Sequence, residues 1–498
     1  MAKVIMVQGT ASTVGKSIIT AALCRIFFRD GYSVAPFKSQ NMALNSFITE
    51  EGHEMGRAQV VQAEACGIKP SSLMNPILIK PTSDARAQII INGRVYKNLD
   101  AMEYGNYKTE AKAIVKEAFL GLSEKFDIIV IEGAGSPAEI NLKENDIVNM
   151  GMAEIADSPV LLVGDIDKGG VFAQLAGTMQ LLEEHEKSRV KGTIINKFRG
   201  DVELLKPGLC MIEDIIKIPV LGVIPYMDLN IDDEDSVTDR FKKSNSSGEI
   251  NIDVIQLPYL SNFTDFNVFD IYDDVNLRFV ARDHEIGDPD IIIIPGSKNT
   301  IADMEFIRHE QLDRKIIDHY KKGKLLVGIC AGLQMLGKSI EDPYGLEGHA
   351  NKIDGLGIID IKTVIEKDKV TKQVKGTVTG ESGFLRGLKG KVIEGYEIHM
   401  GRSSGKIKEN TFIDTENGET GILHDNIMGT YIHGIFDNSE FTRGLLNNLR
   451  EDRGLPVMSG NISYGDFKEQ EYDRLAQTVR QNLNMKAVYG ILDGKEVK

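Results

Sequence analysis

One stretch leaves the chain few ways to fold: Leu325-Leu326-Val327-Gly328-Ile329-Cys330-Ala331-Gly332-Leu333-Gln334-Met335-Leu336-Gly337. Leu325 to Ile329 is an apolar run short enough for a buried strand, and Leu333 with Leu336 marks a helix packed behind it. Between them stands Gly328-x-Cys330-x-Gly332, the strand–turn–helix grammar of a nucleophile elbow with sulfur in place of a hydroxyl. The glycines permit a turn too tight for side chains, and the turn pushes Cys330 out at the carboxyl end of the strand. In open α/β sheets that is the edge where substrates bind. The amino terminus of the following helix favours the thiolate, the form that attacks. A buried cysteine in an ordinary βα turn would show the same letters, so the rest of the chain has to separate the two.

A second strand–loop–helix unit opens the sequence. Lys3 to Val7 leads into Gln8-Gly9-Thr10-Ala11-Ser12-Thr13-Val14-Gly15-Lys16-Ser17, and Ile19, Leu23 and Ile26 follow at helical spacing. That context is what a phosphate-binding P-loop requires. Backbone N–H groups around Thr13 and Gly15 face the phosphates, Lys16 neutralises their charge, and the Ser17 hydroxyl can ligate Mg²⁺. The first glycine of the usual pattern is replaced by Thr10, with Gly9 one position earlier.

Further strands end in polar residues. Residues 33–37 end at Lys38-Ser39-Gln40-Asn41-Met42, which puts Lys38 either toward substrate or in solvent. Residues 53–67 read as a helix closed by Gly67. Phe126 to Ile131 ends in Glu132-Gly133-Ala134-Gly135, a Walker-B-like strand whose Glu132 is either a Mg²⁺ carboxylate or a turn cap. Pro159 to Val163 ends in Gly164-Asp165-Ile166-Asp167-Lys168-Gly169-Gly170, where a turn is the ordinary explanation. Gly192 to Ile195 ends at Asn196, which could read an adenine edge or serve structure equally well. Alternating strands and helices up to Pro219–Ile224 predict a doubly wound parallel sheet.

Residues 228–247 lack apolar periodicity and carry Asp232-Asp233-Glu234-Asp235, so they read as a polar linker with a solvated acidic run. A chain of 498 residues exceeds what one core supports. The expected plan is a first domain over 1–227, a linker over 228–250, a second α/β domain over 251–445 and a helical extension over 446–498 without visible chemistry. A net charge of −15 argues against a nucleic-acid partner. No apolar run is long enough to span a membrane, and no charged leader precedes the first strand, so a cytoplasmic protein is expected. Cys24, Cys66, Cys210 and Cys330 are far apart without CxxC spacing, which argues against a disulfide framework or zinc cage. The first three read as small core residues.

In the second half Ile291 to Ile294 is a buried strand, and Pro295-Gly296-Ser297-Lys298-Asn299-Thr300 is the loop at its end. That loop and the N–H of Ala331 could form an oxyanion hole. His399 and His433 each follow an apolar strand, and either could be the base for a thiol. His433 lies nearer the end of the domain, after the nucleophile, as elbow enzymes order them.

With these residues in view, the first half resembles the dethiobiotin-synthetase-like P-loop fold, through Gly9 to Ser17 and Glu132-Gly133-Ala134-Gly135. The second half resembles a class I glutamine amidotransferase domain, through Gly328-Ile329-Cys330-Ala331-Gly332. Their order is similar to the glutamine-hydrolysing cobyric acid synthase family of cobalamin biosynthesis, as are Ser261-Asn262-Phe263-Thr264-Asp265-Phe266, Pro295 to Thr300 and Tyr396-Glu397-Ile398-His399-Met400-Gly401. The resemblance implies two doubly wound α/β domains, with Cys330 and His433 releasing ammonia from L-glutamine. It implies ATP and Mg²⁺ at Thr13, Gly15, Lys16, Ser17, Lys38, Glu132 and Asn196, with Ser17 and Glu132 on the metal. The corrinoid adenosylcobyrinic acid a,c-diamide would be amidated at side chains b, d, e and g, by way of acyl phosphates. The related cobyrinic acid a,c-diamide synthases and MinD/ParA-like ATPase switches are the alternatives, the latter with a non-catalytic second domain. One departure stands out: triad amidotransferases carry a glutamate two residues after the histidine, and here that position is Ile435.

Overall fold

The computed structural model describes residues 2–83, 86–232, 248–347, 350–381, 383–405, 411–460 and 463–495. Of the expected linker, residues 233–247 lie outside the described residues. Two sheets anchor the two halves. The first runs Val220–Pro225, Val190–Phe198, Val160–Asp165, Lys3–Gly9, Ile128–Glu132, Val34–Phe37, with every pair parallel. Ile128–Glu132 is buried along its whole length, which is why it reads as an unbroken apolar run rather than an alternating one. Lys3–Gly9 lies between Ile128–Glu132 and Val160–Asp165, so the P-loop opens beside Glu132 and Asp165 on one carboxyl edge.

The second sheet runs Val275–Val280, Ile250–Ile255, Ile291–Ile294, Leu325–Ile329, Ile427–Thr430 in parallel, with Ile422–His424 antiparallel at the edge. The α/β character of both halves is as the apolar runs predict. Three further pieces are not legible in those runs. A mixed sheet is built on Ile361–Val378 paired antiparallel with Val392–Gly405, and Ile432–His433 adds to it. Gln40–Met42, Ile77–Ser83, Arg86–Ile91 and Arg94–Asp100 form a small sheet, and Ser46–Ile48 pairs with Glu54–Gly56 as a hairpin.

Several expectations change. The helix expected over 53–67 is Arg57–Ala65, entered from the strand Glu54–Gly56. Glu54 is drawn into that strand by buried ion pairs with Lys80 and Lys369, a tertiary gain that overrides local preference. His399 lies inside the strand Val392–Gly405, not at its end. Cys24 and Cys66 are buried, but Cys210 is exposed. Asp232, expected in a solvated run, is buried against Arg57 at 2.6 Å, with Asn267 and Tyr464 donating to its other oxygen. The helix Ser439–Asp452 crosses the expected boundary at 445 and packs Leu446 and Leu449 into the second core. Helices Tyr464–Asn482 and Met485–Leu492 return to the first sheet instead, where Tyr472, Leu475, Val479, Val488 and Ile491 complete a core with Ile5, Ile19 and Leu23.

Candidate functional site

Cys330 sits between the strand Leu325–Ile329 and the short helix Ala331–Leu336, at φ 52° and ψ −106°. A non-glycine residue held at positive φ is strained, and strain of this kind gathers where surrounding structure over-determines a functional turn. The surroundings do so here. A Cβ on Gly332 would lie 1.9 Å from the carbonyl oxygen of Ile294, and the N–H of Cys330 donates to Thr430 O at 2.7 Å. The Cys330 thiol is buried, with Sγ 3.6 Å from Ile398 O.

His433 faces the same thiol and is 1 % exposed. Its Nδ1–H donates to Asp265 Oδ2 at 2.7 Å, and the N–H of Gly434 donates to Asp265 Oδ1 at 2.9 Å. Nδ1 is thereby committed, which leaves Nε2 for the sulfur. Burial disfavours a charged imidazole, yet Asp265 and the Cys330 thiol outweigh it and raise His433 to about 10. An imidazolium beside a thiol favours the thiolate. The helix behind Cys330 is only six residues long, so its dipole adds little beside the charge on His433. His399 also lines the Cys330 cavity, but Gly401 O and Glu397 take its ring nitrogens at 2.8 and 3.4 Å. His433 is therefore the imidazole aimed at sulfur. Gly296 lies against it, with a Cβ position 3.0 Å from His433 Cε1, so the loop expected to help form an oxyanion hole reaches the site. Lys298, Gln334, Glu347, Lys369 and Lys80 line the same cavity, and Lys80 comes from the first half of the chain.

At the other site Lys16 Nζ lies 2.8–3.0 Å from the carbonyl oxygens of Ala11, Ser12 and Gly135, inside the loop. Gly15 takes φ 97°, and a Cβ there would strike Asn196 Nδ2 at 2.2 Å. Thr10 needs no glycine, because its N–H continues the strand pairing to Val163 O at 2.9 Å. Ser17 Oγ donates to Glu132 Oε1 at 2.8 Å, and Lys38 Nζ meets the same oxygen at 2.9 Å. Lys38 is buried and so is not the solvated surface lysine that position alone allowed. Gln59 and Gln62 reach Glu132 Oε2 at 3.4 and 2.5 Å. Asn196 donates to Val14 O at 2.8 Å, bracing the loop. Lys168 reaches Thr13 Oγ1 and Lys197 reaches Thr13 O, so the glycine-rich turn after Val163 also closes on the loop.

These residues suit Mg²⁺ with a nucleotide. Ser17 and Glu132 converge, and buried Gln8 Oε1, Ser39 Oγ and Gln62 Oε1 have no hydrogen-bond partner among the described residues. Among the described residues no trio of His, Cys, Asp or Glu could hold a metal. A hydroxyl and one carboxylate, supplemented by water and phosphate oxygens, is a donor set that hard, water-retaining Mg²⁺ accepts.

Residues 5–236 match the family described as the CobQ/CobB/MinD/ParA nucleotide binding domain, and residues 251–441 match the CobB/CobQ-like glutamine amidotransferase domain. A cobyric acid synthase of Thermoanaerobacter sp. (strain X514) is 53% identical, covering 99% of each chain. One from Caldanaerobacter subterraneus subsp. tengcongensis is 54% identical with the same coverage. One from Alkaliphilus metalliredigens is 52% identical over 98% of this chain and all of the relative. The chain belongs to the cobyric acid synthase family.

As a member of that family it joins a P-loop nucleotide-binding domain to a glutamine amidotransferase domain. Cobyric acid synthases match it end to end, which sets aside the diamide synthase and the ATPase switch as readings of the whole chain. The residue that motif reading missed is Asp265. The triad pattern directs attention to position 435, whereas this acid follows the strand Ile250–Ile255 and reaches His433 through space. Its sequence signals are its place in Ser261 to Phe266, a segment that carries the family resemblance, and its position beyond the carboxyl end of a strand two places from the elbow strand. Gln59 and Gln62 were hidden inside a helix pattern and become visible only through Glu132. Among the described residues no helix is long and apolar enough to cross a membrane.

Proposed function

We propose that this chain is an ATP- and glutamine-dependent amide ligase that converts the b, d, e and g carboxylates of adenosylcobyrinic acid a,c-diamide to amides, giving adenosylcobyric acid. The Cys330 thiolate adds to the carboxamide carbon of L-glutamine. His433 gives its proton to the departing nitrogen, releasing ammonia and leaving a γ-glutamyl thioester. With His433 then a base, water cleaves the thioester to glutamate and restores the thiol. Asp265 holds the imidazole in one orientation throughout. The N–H of Ala331 and the 295–300 loop would stabilise the oxyanion.

In the nucleotide half a carboxylate must first become an electrophile, since as an anion it resists attack by an amine. ATP supplies a phosphoryl group, and the resulting acyl phosphate yields the amide and phosphate when ammonia attacks. Lys16 and the backbone around Thr13 and Gly15 would neutralise phosphate charge, with Asn196 holding the loop in shape. Ser17 and Glu132 would hold Mg²⁺, which supplies further charge neutralisation at the phosphates. Lys38 lies beside Glu132, where it can meet an incoming carboxylate or phosphate.

The observation that carries the reading is the strained Cys330 facing an imidazole held by Asp265, in a chain that matches cobyric acid synthases over its length. Cys330→Ala is expected to abolish glutamine-dependent amidation while ammonium chloride still supports the reaction. Lys16→Ala is expected to lose both. Glutamine use by the first variant, or full ammonia-dependent turnover by the second, would contradict the corresponding assignment.

A further inference from the structure

The hairpin Ser46–Ile48/Glu54–Gly56 belongs to the nucleotide half, yet several of its hydrogen bonds cross to the glutaminase half. Asn45 Oδ1 accepts the N–H of Phe263 at 3.2 Å, and Asn262 Oδ1 accepts the N–H of Ser46 at 3.1 Å. These bonds grip the turn that opens the helix Phe263–Ile271, in which Asp265 is the third residue. Asn262 is held at φ 54°, a conformation that needs such support. On the other face Tyr396 OH donates to Ser46 O at 3.1 Å, and the Tyr396 ring stacks on His433 with centroids 5.4 Å apart. Phe47 meets Tyr396 edge to face at 5.2 Å, and the Arg57 guanidinium sits 5.4 Å over Phe47. Gln373 and Thr371 tie Ile48 O and Gly52 O to the long antiparallel sheet.

The same hairpin runs without a break into the helix Arg57–Ala65, whose Gln59 and Gln62 hold Glu132. The junction has no slack. A Cβ on Gly56 would lie 2.6 Å from Asn41 Nδ2 and 3.0 Å from Gln59 Oε1, and the N–H of Gly56 donates to Asn75 Oδ1 at 3.1 Å. One continuous segment, residues 45–62, therefore touches the support of the base in one half and the carboxylate of the nucleotide site in the other.

We propose that the 46–56 hairpin is a positioning element of the glutaminase centre, and that through it the His433–Asp265 pair responds to ligation at Glu132. The proposal rests on the glutaminase and nucleotide assignments above. The turn before Asp265 and the Tyr396 hydroxyl lean on Asn45 and Ser46, and the segment that carries those two residues continues into the helix whose Gln59 and Gln62 hold Glu132. Ligation that drew Glu132 from Gln59 and Gln62 would free the two side chains that hold it on a helix locked at Gly56. Packed side chains shift between discrete arrangements rather than deforming freely, so that change would reach Tyr396 and the 261–266 turn.

The test measures glutamate release by the full chain, with and without ATP, Mg²⁺ and the a,c-diamide, alongside amidation from ammonium chloride. In the parent chain, release is expected to rise when ATP and Mg²⁺ are added. Asn45→Ala is expected to lower kcat for glutamine by roughly 10–100-fold, the usual effect of losing a group that orients another, to leave KM for glutamine in place and to lose the response to ATP. Tyr396→Phe, which keeps the ring but removes the bond to Ser46, is expected to lose the response as well. Asn45→Asp keeps the Oδ1 acceptor and is expected to recover most of the rate. Ammonia-dependent amidation at the parent rate in all three shows that the variants are folded. A parent chain indifferent to ATP and Mg²⁺ overturns the coupling, and an Asn45→Ala variant with parental kcat overturns the positioning role. Cys330→Ala separates this from the assignment beneath it: continued glutamine use there refutes the glutaminase reading, whereas its loss beside a normal Asn45→Ala refutes the hairpin alone.

Discussion

Asp265 shows how much a single side chain settles. Position 435 offers no acid, but Asp265 meets His433 Nδ1 at 2.7 Å with both groups buried. Without that carboxylate only Cys330 opposes the effect of burial, and the imidazole falls back from about 10. Asp265→Asn is therefore expected to lower kcat for glutamine by about 10²–10⁴-fold, in line with loss of a triad acid. The alkaline limb of its pH profile should move toward neutrality, because the imidazolium then loses its proton at lower pH. An unchanged profile would show that the carboxylate does not support the base. The elbow is equally local. Gly332→Ala places a methyl against Ile294 O and is expected to cost about 1–3 kcal/mol, read as a lower Tm. At this scale the sequence is informative where chemistry is contiguous. Gly328-x-Cys330-x-Gly332 and Gly15-Lys16-Ser17 announce themselves because a tight turn and its function share neighbouring positions. Asp265 does not, because it joins His433 across 168 positions.

Elements divide in the same way. Buried parallel strands such as Ile128–Glu132 and Ile291–Ile294 are solvent-free on both faces, so their letters are apolar throughout and their class is legible. The pair Ile361–Val378 and Val392–Gly405 carries Lys367, Asp368, Lys369, Lys372 and Lys375, and its half-wet surface masks the strands. The hairpin at 46–56 is less legible still, since three-residue strands have no period to detect. Its Glu54 is fixed by Lys80 and Lys369 from two other sheets. Burial alone would raise the Glu54 carboxyl, but Lys369 and Lys80 outweigh it and hold it at about 2. A carboxyl depressed below its unfolded value stabilises fully above that value, about 4.5, and the contribution fades as pH falls toward 2. Glu54→Gln should accordingly destabilise by about 3–5 kcal/mol at neutral pH, as when one partner of a buried pair is removed. Denaturation curves should show its stability varying less than the parent's between pH 4.5 and 2. Equal slopes in the two proteins would rule out Glu54 as the titrating group.

For the whole molecule, the two halves are stitched by more than the 228–250 segment. Helices Tyr464–Asn482 and Met485–Leu492 leave the second half and close the first core, with Asn484 N–H on Leu221 O at 2.8 Å. Removing residues 463–498 takes away Tyr472, Leu475, Val479 and Ile491 and would uncover Ile5, Ile19 and Leu23, and is expected to cost ammonia-dependent amidation as well as glutamine use, together with cooperative unfolding of the first half. Most of the stretch that carries no chemistry in the sequence is thus a structural part of the nucleotide-binding half. The central claim, however, concerns the product. Incubating the chain with adenosylcobyrinic acid a,c-diamide, ATP, Mg²⁺ and glutamine, and weighing the corrinoid by mass spectrometry, tests it directly. The account predicts stepwise conversion of four carboxylates to amides, dependent on Cys330 when glutamine is the only nitrogen source. A corrinoid of unchanged mass would contradict it.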